Sequence, residues 1–304
     1  MKKAIVTGAN GFVGSAVCRE LIRNGVHVTA IVRNEMSSIE SLRELENIKI
    51  IYLDLANIHQ LDNLVEEKDF DCFYHFAWTG SSGPLRGDYS VQISNVEHTC
   101  RAVEAAHRLG CKRFVFAASI MEYEIQELMK TSMPIAKNTL YSSAKITAEY
   151  MARAVVDSNE MEYVGGIISN IYGPGEKSPR LVNSTIRKLL NGKYCQFSPG
   201  NQLYDFIYID DAACAFYQLG VAALPDTSYY IGSMNPQPLK NFLNAIRDEV
   251  APGTQIGLGE LPFNGVSLSY EEFDVGRLKA DTGFVPKIDF REGIRRTAEW
   301  IKEQ

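Results

Sequence analysis

Short apolar runs alternate with amphipathic stretches through the first half of the chain. Apolar runs between turn residues are typical of buried strands, and apolar residues three and four apart are typical of helices. The pattern predicts strands at 3–7, 26–32, 48–52, 72–76, 113–118 and 164–169, and helices at 14–23, 36–45, 60–65, 93–109 and 139–157. This alternation predicts an α/β fold in which a doubly wound parallel sheet carries helices on both faces.

The regular alternation ends near Asn170, where glycine and proline become frequent. Beyond this point the pattern predicts a strand at 205–209, a helix at 210–220 and a strand at 229–231. We therefore expect a larger domain over 1–169, to which 205–232 returns, and a smaller interleaved lobe over 170–204 and 233–304. Ligands of doubly wound sheets bind outside the carboxyl ends of the strands, so a site is expected there.

Composition and charge disfavour several classes of function. A net charge of −6 provides no basic surface for nucleic acid. No apolar stretch is long enough to span a membrane and neither end resembles a targeting segment, so we expect a cytoplasmic protein. The 6 cysteines form no CxxC pair and are expected to be reduced and mostly buried. His75 and His98 lack partners at ligand spacing, so no metal site is expected.

The first predicted strand leads into a glycine-rich turn, Thr7-Gly8-Ala9-Asn10-Gly11-Phe12-Val13-Gly14, which opens a predicted helix. Glycines permit a tight turn and allow the backbone to approach a pyrophosphate, which then rests on the amide groups of the helix N-terminus. A turn without a ligand is the alternative. The strand before the turn, the helix after it and the next strand provide the context that a dinucleotide site requires.

The glycine spacing after Thr7 resembles the extended branch of the short-chain dehydrogenase/reductases, the NAD-dependent epimerase/dehydratase family. Further motifs extend the resemblance over nearly the whole chain: Tyr74-His75-Phe76-Ala77-Trp78, Asn95-Val96 with Thr99, Asn170-Ile171-Tyr172-Gly173-Pro174, and the segment from Asp205 to Asp211. The resemblance implies a Rossmann-type fold, a nicotinamide dinucleotide on the first domain and a smaller C-terminal substrate-binding lobe. It implies these cofactor-binding residues: Thr7, Gly8, Asn10, Gly11, Phe12, Val13, Gly14, Arg33, Asn34, Asp54, Leu55, Phe76, Ala77, Trp78, Asn95, Ala117, Tyr141, Lys145 and Ile168.

The end of the second predicted strand bears on which dinucleotide binds. NAD-binding relatives carry an Asp there for the ribose hydroxyls, whereas this chain has Arg33-Asn34. A guanidinium cannot accept hydrogen bonds and suits a 2′-phosphate, so NADP(H) is favoured over NAD(H). The alternative is an exposed arginine with no part in cofactor choice. Asp54 lies where the family places an acidic residue near the adenine amino group, or it is simply an exposed carboxylate at a strand end.

Tyr141 and Lys145 lie four residues apart on a predicted helix, so their side chains share one face. A nearby ammonium lowers the pKa of a tyrosine from about 10, which makes Tyr141 a proton relay near neutral pH. Ser119 ends the fifth predicted strand and alone would be a serine that caps a turn. The resemblance implies that Ser119, Tyr141 and Lys145 are the catalytic residues.

The resemblance also implies a nucleoside-diphosphate sugar as the substrate. The residues expected to bind it are Ser119, Asn170, Arg180, Lys188, Tyr204 and Arg277. Arginine forks suit phosphates, although each of these cations is by default a solvated surface residue. Many members of the family carry an arginine directly before the segment that begins at Asp205. This chain has Tyr204 there, so another group must supply the positive charge, or the substrate is an unusual one.

Two reactions fit these residues. Dehydratases of the family carry an Asp-Glu pair directly after the catalytic Ser or Thr, and here Ile120 and Met121 cannot exchange a proton, so dehydration is not expected. The main prediction is NADPH-dependent reduction of a 4-keto-6-deoxysugar, which Arg33 favours. The alternative is an epimerase that oxidises and re-reduces one carbon. A non-catalytic dinucleotide sensor is a more distant alternative, because the catalytic residues are retained.

Members of the family commonly dimerise through the helices that correspond to those carrying Asn95 and Tyr141, which implies a homodimer. Four apolar residues of the predicted helix at 93–109 suit such an interface: Ala102, Val103, Ala106 and Leu109. They are equally expected in a helix that packs on its own sheet.

Overall fold

The structure, a computed structural model, describes residues 1–130 and 135–304, apart from the side chain of Glu272. The strands are β1 (Lys3–Thr7), β2 (His27–Val32), β3 (Ile48–Tyr52), β4 (Cys72–His75), β5 (Arg113–Ser119), β6 (Glu162–Ile168), β7 (Asn170–Tyr172), β8 (Gln196–Phe197), β9 (Leu203–Tyr204), β10 (Phe206–Tyr208), β11 (Thr227–Ile231), β12 (Gln237–Pro238) and β13 (Gly257–Leu258). The α-helices are α1 (Phe12–Arg23), α2 (Leu61–Leu64), α3 (Tyr89–Arg108), α4 (Glu122–Lys130), α5 (Thr139–Ser158), α6 (Leu181–Leu190), α7 (Ile209–Val221), α8 (Leu239–Val250), α9 (Arg277–Thr282) and α10 (Phe290–Lys302).

The chain divides into two compact units. The first unit comprises Met1–Ile168, Ala213–Tyr229 and Arg277–Phe284. The second unit comprises Ser169–Ala212, Tyr230–Gly276 and Val285–Gln304. The assignment of one domain to the dinucleotide and of the other to the substrate stays a prediction.

A seven-stranded sheet with the order β11-β6-β5-β4-β1-β2-β3 dominates the first unit. The pairings from β3 through β6 are parallel. Strands β1, β4 and β5 are buried along almost their whole length, as expected when helices cover both faces of a sheet. The strand order reverses between β1 and β4, where Thr7 pairs with His75, and doubly wound sheets bind ligands at such a point. The predicted doubly wound α/β fold is confirmed.

The helix predicted at 36–45 is wrong. The structure has only a short 3-10 turn there, Glu40–Leu42. The Ser37 hydroxyl donates to the Asn34 side chain over 3.1 Å, and the Ser38 hydroxyl accepts from the Glu40 N–H over 3.5 Å. Serine side chains that bond locally in this way compete with the helical hydrogen bonds.

The second unit consists of short elements around an aromatic core. Strand β10 pairs with β7, β12 with β9 and β13 with β8, each pair forming a separate two-stranded sheet. The ring of Phe242 lies 4.7 Å from that of Phe290 and 4.9 Å from that of Phe206, centroid to centroid. Helices α6, α8 and α10 pack against one another.

Within the described ranges, no helix combines the length and the apolar composition that crossing a membrane would require.

Candidate active site

The glycine-rich turn joins β1 to α1 at the point where the strand order reverses. Gly8 has a φ of +64°, and a Cβ atom there would lie 2.9 Å from the Ala77 nitrogen. A Cβ atom at Gly14 would lie 2.2 Å from the carbonyl oxygen of Gly8. Both neighbours are backbone atoms that side-chain rotation cannot move, so the turn requires glycine at these two positions.

Helix α1 begins directly after this turn. Gly11 is its N-cap, and among the described residues no side chain caps this helix end. Phe12 and Val13 are half-buried in its first turn, where backbone N–H groups have no partner within the helix. Such groups bind phosphate oxygens. The turn therefore fits the pyrophosphate of a dinucleotide.

Polar side chains behind the turn connect β1, β4 and α3. The Thr7 hydroxyl lies 2.9 Å from His75 Nδ1, and the Thr99 hydroxyl lies 3.3 Å from His75 Nε2. Burial, with a smaller contribution from the Lys145 charge, lowers the pKa of His75 to about 3, so the ring is neutral. The ring is thus bonded on both sides within the core. Among the described residues there is no group of His, Cys, Asp and Glu side chains suited to hold a metal ion.

The loop after β4 is fixed by two side chains of α3. The Asn95 side chain accepts from the Thr79 N–H over 3.0 Å and donates to the Thr79 carbonyl over 2.8 Å. Gln92 accepts from the Trp78 indole N–H over 3.0 Å and donates to the carbonyls of Gly80 and Leu85. Asn95, predicted to bind the cofactor, therefore orders the loop that carries Trp78.

A cavity of about 460 Å³ lies beside the ends of β2 and β3. Its lining residues are Arg33, Asn34, Glu35, Met36, Tyr52, Leu53, Asp54 and Asn57. Arg33 and Asn34 are exposed. Asp54 is also exposed and accepts from the Ala56 N–H over 2.9 Å, capping the 3-10 turn that begins at Leu55. The structure thus brings Arg33, Asn34 and Asp54 together at one cavity, as an adenosine site would require.

The ammonium of Lys145 is buried in a cage of one carbonyl and two aromatic rings. Its Nζ atom donates to the Ala117 carbonyl over 2.9 Å. The same atom lies 3.8 Å from the centroid of the Trp78 ring and 4.8 Å from that of Phe116. Burial lowers the pKa of Lys145 to about 8, against the opposing effect of two nearby carboxyl groups. Lys145 is therefore still mostly charged at neutral pH. The carbonyl oxygen and the two ring faces around it favour a cation.

Tyr141 lies in the same surroundings. Its ring is edge-on to Trp78, with centroids 6.0 Å apart, so the indole contacts both Tyr141 and Lys145. The guanidinium of Arg86 packs on the Tyr141 ring, 4.2 Å from the ring centroid. One cationic side chain thus packs on the Tyr141 ring, and the ammonium of Lys145 packs on the indole that this ring contacts.

Ser119 ends β5, two residues after the carbonyl that binds Lys145. Its backbone N–H donates to Glu122 Oε1 over 2.7 Å, and its side-chain oxygen accepts from the Met121 N–H over 3.2 Å. The hydroxyl therefore caps a turn. Because it acts there as an acceptor, its own proton can still be donated to a ligand.

The remaining predicted cofactor residues lie around this region of the first unit. Asn10 donates to the Ser38 carbonyl over 2.9 Å, and Phe76 packs edge-on against Phe216. The carbonyl of Ile168 accepts from the Ile120 N–H over 2.9 Å. These contacts hold the loops around the site, and the cofactor-binding role of these residues stays a prediction.

Four of the predicted substrate-binding residues belong to the second unit. Asn170 donates to the Asp205 carbonyl over 3.2 Å, and Tyr204 stacks on Phe206 with centroids 5.7 Å apart. Arg180 directly precedes α6, and Lys188 is exposed near the other end of that helix, about 12 Å away along its axis. Arg180 forms an ion pair with Glu176 over 3.2 Å, and the binding of a phosphate by Arg180 and Lys188 stays a prediction.

Arg277 lies in the first unit and is occupied by neighbouring side chains. It forms an ion pair with Asp281 over 3.5 Å and donates to the Thr227 hydroxyl over 3.4 Å. Its guanidinium also lies 5.7 Å from the centroid of Tyr229. These contacts favour a structural role over the predicted binding of the diphosphate.

Three residues near the candidate catalytic residues were not predicted from the sequence: Arg86, Glu122 and Glu149. Glu122 and Glu149 are buried, with 4% and 6% of their surfaces exposed. Glu149 follows Lys145 by four residues on α5, a spacing that places it on the same helix face and could have drawn attention to it. Arg86 lies in a short 3-10 turn, Pro84–Gly87, in which no periodic pattern points to the site.

Comparison with known proteins identifies the family. The model of the NAD dependent epimerase/dehydratase family matches residues 4–232 of the chain, which contain the glycine-rich turn, Ser119, Tyr141 and Lys145. The chain belongs to this family. The predictions of an enzyme of this family and of a nicotinamide dinucleotide cofactor are thereby confirmed.

Individual relatives of this epimerase/dehydratase family member have different activities. The dTDP-glucose 4,6-dehydratase of Neisseria meningitidis is 25% identical and covers 99% of this chain and 93% of its own length. The UDP-glucose 4-epimerase of Thermotoga maritima, solved with UDP-glucose, has a TM-score of 0.83 at 20% identity, covering 99% of both chains. The UDP-glucuronic acid 4-epimerase of Bacillus cereus, solved with UDP-glucuronic acid and NAD, has a TM-score of 0.80 at 20% identity, covering 99% of both chains. The two structures show the fold.

Proposed function

We propose that this family member is an NAD(P)-dependent epimerase of a nucleoside-diphosphate sugar. The observation that carries the proposal is the apolar pair directly after Ser119. Ile120 is 4% exposed, and neither its side chain nor that of Met121 can exchange a proton. Dehydratases of the family use an acid–base pair at these positions. Epimerisation at one carbon needs only a single proton relay and a reversible hydride transfer.

Glu122, three residues after Ser119, does not replace the missing acid–base pair. Glu122 is 4% exposed, and its carboxyl group accepts from the Ser119 N–H over 2.7 Å and lies beside the buried Glu149. A carboxyl group held in this way is not free to take a proton from a sugar carbon. Among the described residues, the polar groups to which we assign the chemistry are then Ser119, Tyr141 and Lys145.

These residues suffice for the proposed reaction. A dinucleotide held at the glycine-rich turn would supply a reversible acceptor for the hydride of one sugar carbon. Tyr141 removes the proton of the hydroxyl on that carbon and later returns it, and the Lys145 ammonium stabilises the phenolate that this requires. Ser119 donates a hydrogen bond to the same oxygen while it is a carbonyl. If the keto-sugar turns over between the two transfers, the configuration is inverted.

The similar proteins support this proposal over the reductase. Both solved epimerases cover 99% of this chain, and each is described with a UDP-sugar. The dehydratase of Neisseria meningitidis is also similar, but this chain lacks the acid–base pair that dehydration needs. NADPH-dependent reduction of a 4-keto-6-deoxysugar is the second candidate. It is supported by Arg33, which lines the cavity at the ends of β2 and β3 and suits the 2′-phosphate of NADPH.

The test is interconversion from both directions. UDP-glucose, UDP-galactose, UDP-glucuronate, UDP-galacturonate and dTDP-glucose are incubated separately with the enzyme and with substoichiometric NAD⁺ or NADP⁺, and the products are separated by chromatography. The proposal predicts that one pair of C4 epimers reaches the same mixture from either member. Formation of a 4-keto-6-deoxysugar from dTDP-glucose, or no conversion of any substrate, would contradict it.

We also propose that the bound dinucleotide is NADP(H), and that its adenosine lies in the cavity lined by Arg33, Asn34 and Asp54. Arg33 is an exposed cation at the cavity, where a 2′-phosphate would lie. We expect Arg33→Ala to weaken NADPH binding about tenfold or more, because a hydrogen bond to a charged group contributes about 1.5–3 kcal/mol. NADH binding should be nearly unchanged. Titration of nucleotide fluorescence measures both affinities, with Arg43→Ala as a matched surface control. Equal losses for the two nucleotides, or none, would refute the proposal.

We also propose that the chain forms a homodimer through α3 and α5. These helices pack against each other, and Ile93 and Tyr150 on them are each 63% exposed. The residues named from the sequence for this interface, from Ala102 to Leu109, are instead buried within the chain. Sedimentation velocity should show a dimer at micromolar concentration, and Ile93→Glu should shift it towards monomer, whereas Leu224→Glu should not. A monomeric wild type would refute the proposal.

A further inference from the structure

Two buried carboxyl groups lie beside the candidate catalytic residues. Glu122 begins α4 and Glu149 lies on α5, and both are almost fully buried. The carboxyl group of Glu149 is close enough to raise the pKa of Glu122. Ionised carboxylates only accept hydrogen bonds, so a hydrogen bond between these two groups requires one proton.

The neighbours of the pair indicate which member holds the proton. Glu149 accepts from the Ser228 hydroxyl over 2.5 Å, and Arg153 Nη1 lies 3.8 Å from its Oε1 atom. The Glu149 carboxyl thus faces a hydroxyl donor and a guanidinium. Burial raises the pKa of Glu122 well above its usual value of 4.5, and the nearby Glu149 adds to this shift. The charge of Lys145 opposes it. The raised pKa favours the proton on Glu122, which would let its hydroxyl donate to Glu149.

The other oxygen of Glu122 reaches the catalytic strand. Glu122 Oε1 accepts from the Ser119 N–H over 2.7 Å. The charged and titratable groups that face Glu122 are Glu149 and Lys145 of α5 and Tyr163 of β6, with Arg153 behind Glu149. With Glu122 neutral, the pair would carry one negative charge, opposed to the positive charge of the Lys145 ammonium.

We propose that Glu122 is a positioning residue for the reaction, which fixes the Ser119 backbone through a neutral carboxyl group shared with Glu149. In this state the hydroxyl of Glu122 is directed to Glu149, and its carbonyl oxygen accepts from the Ser119 N–H. One network then joins Ser119 to α5, the helix that carries both Glu149 and Lys145. A glutamine has the same shape, with an amide that donates to Glu149 and a carbonyl that accepts from Ser119. This inference rests on the proposed function for its kinetic test only.

The kinetic test compares Glu122→Gln with Glu122→Ala in the epimerase assay. Glu122→Gln should keep kcat and its pH profile within about twofold of the wild type. Glu122→Ala should lower kcat about tenfold or more with little change in KM, because it leaves a buried N–H of the catalytic strand without its acceptor. Glu127→Gln and Glu127→Ala, on the same helix in an exposed ion pair, are the controls and should both be neutral. Equal loss in both Glu122 variants, or full activity in Glu122→Ala, would overturn the proposal.

A thermal test needs no substrate. Because the folded-state pKa of Glu122 is raised, the wild type loses stability as the pH rises above the usual carboxyl value of 4.5. Glu122→Gln has no such proton to lose. The melting temperature of Glu122→Gln minus that of the wild type should therefore increase from pH 4.5 to pH 8 by at least about 2 °C. Glu127→Gln should show no increase. A constant difference would overturn the protonated state of Glu122 even if the enzyme acts on no nucleotide-sugar.

Discussion

Tyr141→Phe is expected to lower kcat about 10²–10⁴-fold, the usual contribution of a positioned acid or base. The substitution removes only the phenolic oxygen, so the ring contacts with Trp78 and Arg86 persist. Because those contacts fix the ring and Lys145 keeps its own cage, dinucleotide affinity should change by less than about threefold. The two quantities are measured by product formation under saturating substrate and by fluorescence titration of the dinucleotide.

Tyr150→Phe is the matched control for that substitution. Tyr150 lies on the same helix but is 63% exposed. It should leave kcat unchanged. If Tyr141→Phe retained more than about a tenth of wild-type kcat, proton transfer would have to occur through another group, and the assignment of Tyr141 would be wrong.

Gly14→Ala is expected to abolish measurable dinucleotide binding. The new Cβ atom would lie 2.2 Å from the Gly8 carbonyl oxygen, far inside van der Waals contact with a backbone atom. The turn must open to accommodate it, which displaces the N-terminal amide groups of α1 from the pyrophosphate. Overpacking also destabilises by about 1–3 kcal/mol, which corresponds to a fall of several degrees in melting temperature.

Gly276→Ala controls for the general cost of adding a methyl group. Gly276 is exposed, and its nearest neighbour to an added Cβ atom is 3.9 Å away. Calorimetric titration with the dinucleotide and thermal unfolding should show no effect of this variant. Wild-type affinity in Gly14→Ala would mean that the turn does not bind the pyrophosphate.

The sheet was predictable from the sequence because its central strands β1, β4 and β5 are mainly apolar and buried on both faces. The strand boundaries agree with the structure within two residues from β1 through β6. The helix expected at 36–45 failed for a local reason, since the side chains of Ser37 and Ser38 bond to nearby groups. In the second unit, β10 lies within the strand predicted at 205–209. The other short strands of that unit depend on pairing between distant segments, which periodicity does not reveal.

The candidate site was likewise predictable from the sequence only in part. The glycine-rich turn, Tyr141 and Lys145 follow from local spacing, and the structure brings Tyr141 and Lys145 to the same indole. The Glu122–Glu149 pair was not predictable, because the two residues are separated along the chain and meet only when α4 packs against α5. Arg86 is likewise brought to Tyr141 by the loop that α3 holds through Gln92.

The central claim is that the enzyme uses its dinucleotide catalytically and returns it unchanged. The most direct measurement follows absorbance of the reduced nicotinamide while product is quantified. One arm contains a UDP-sugar with limiting oxidised cofactor, and the other contains a nucleoside-diphospho-4-keto-6-deoxysugar with NADPH. The account predicts many turnovers to the epimer in the first arm without net accumulation of reduced cofactor. Stoichiometric oxidation of NADPH in the second arm, with no epimer in the first, would contradict it and identify a reductase.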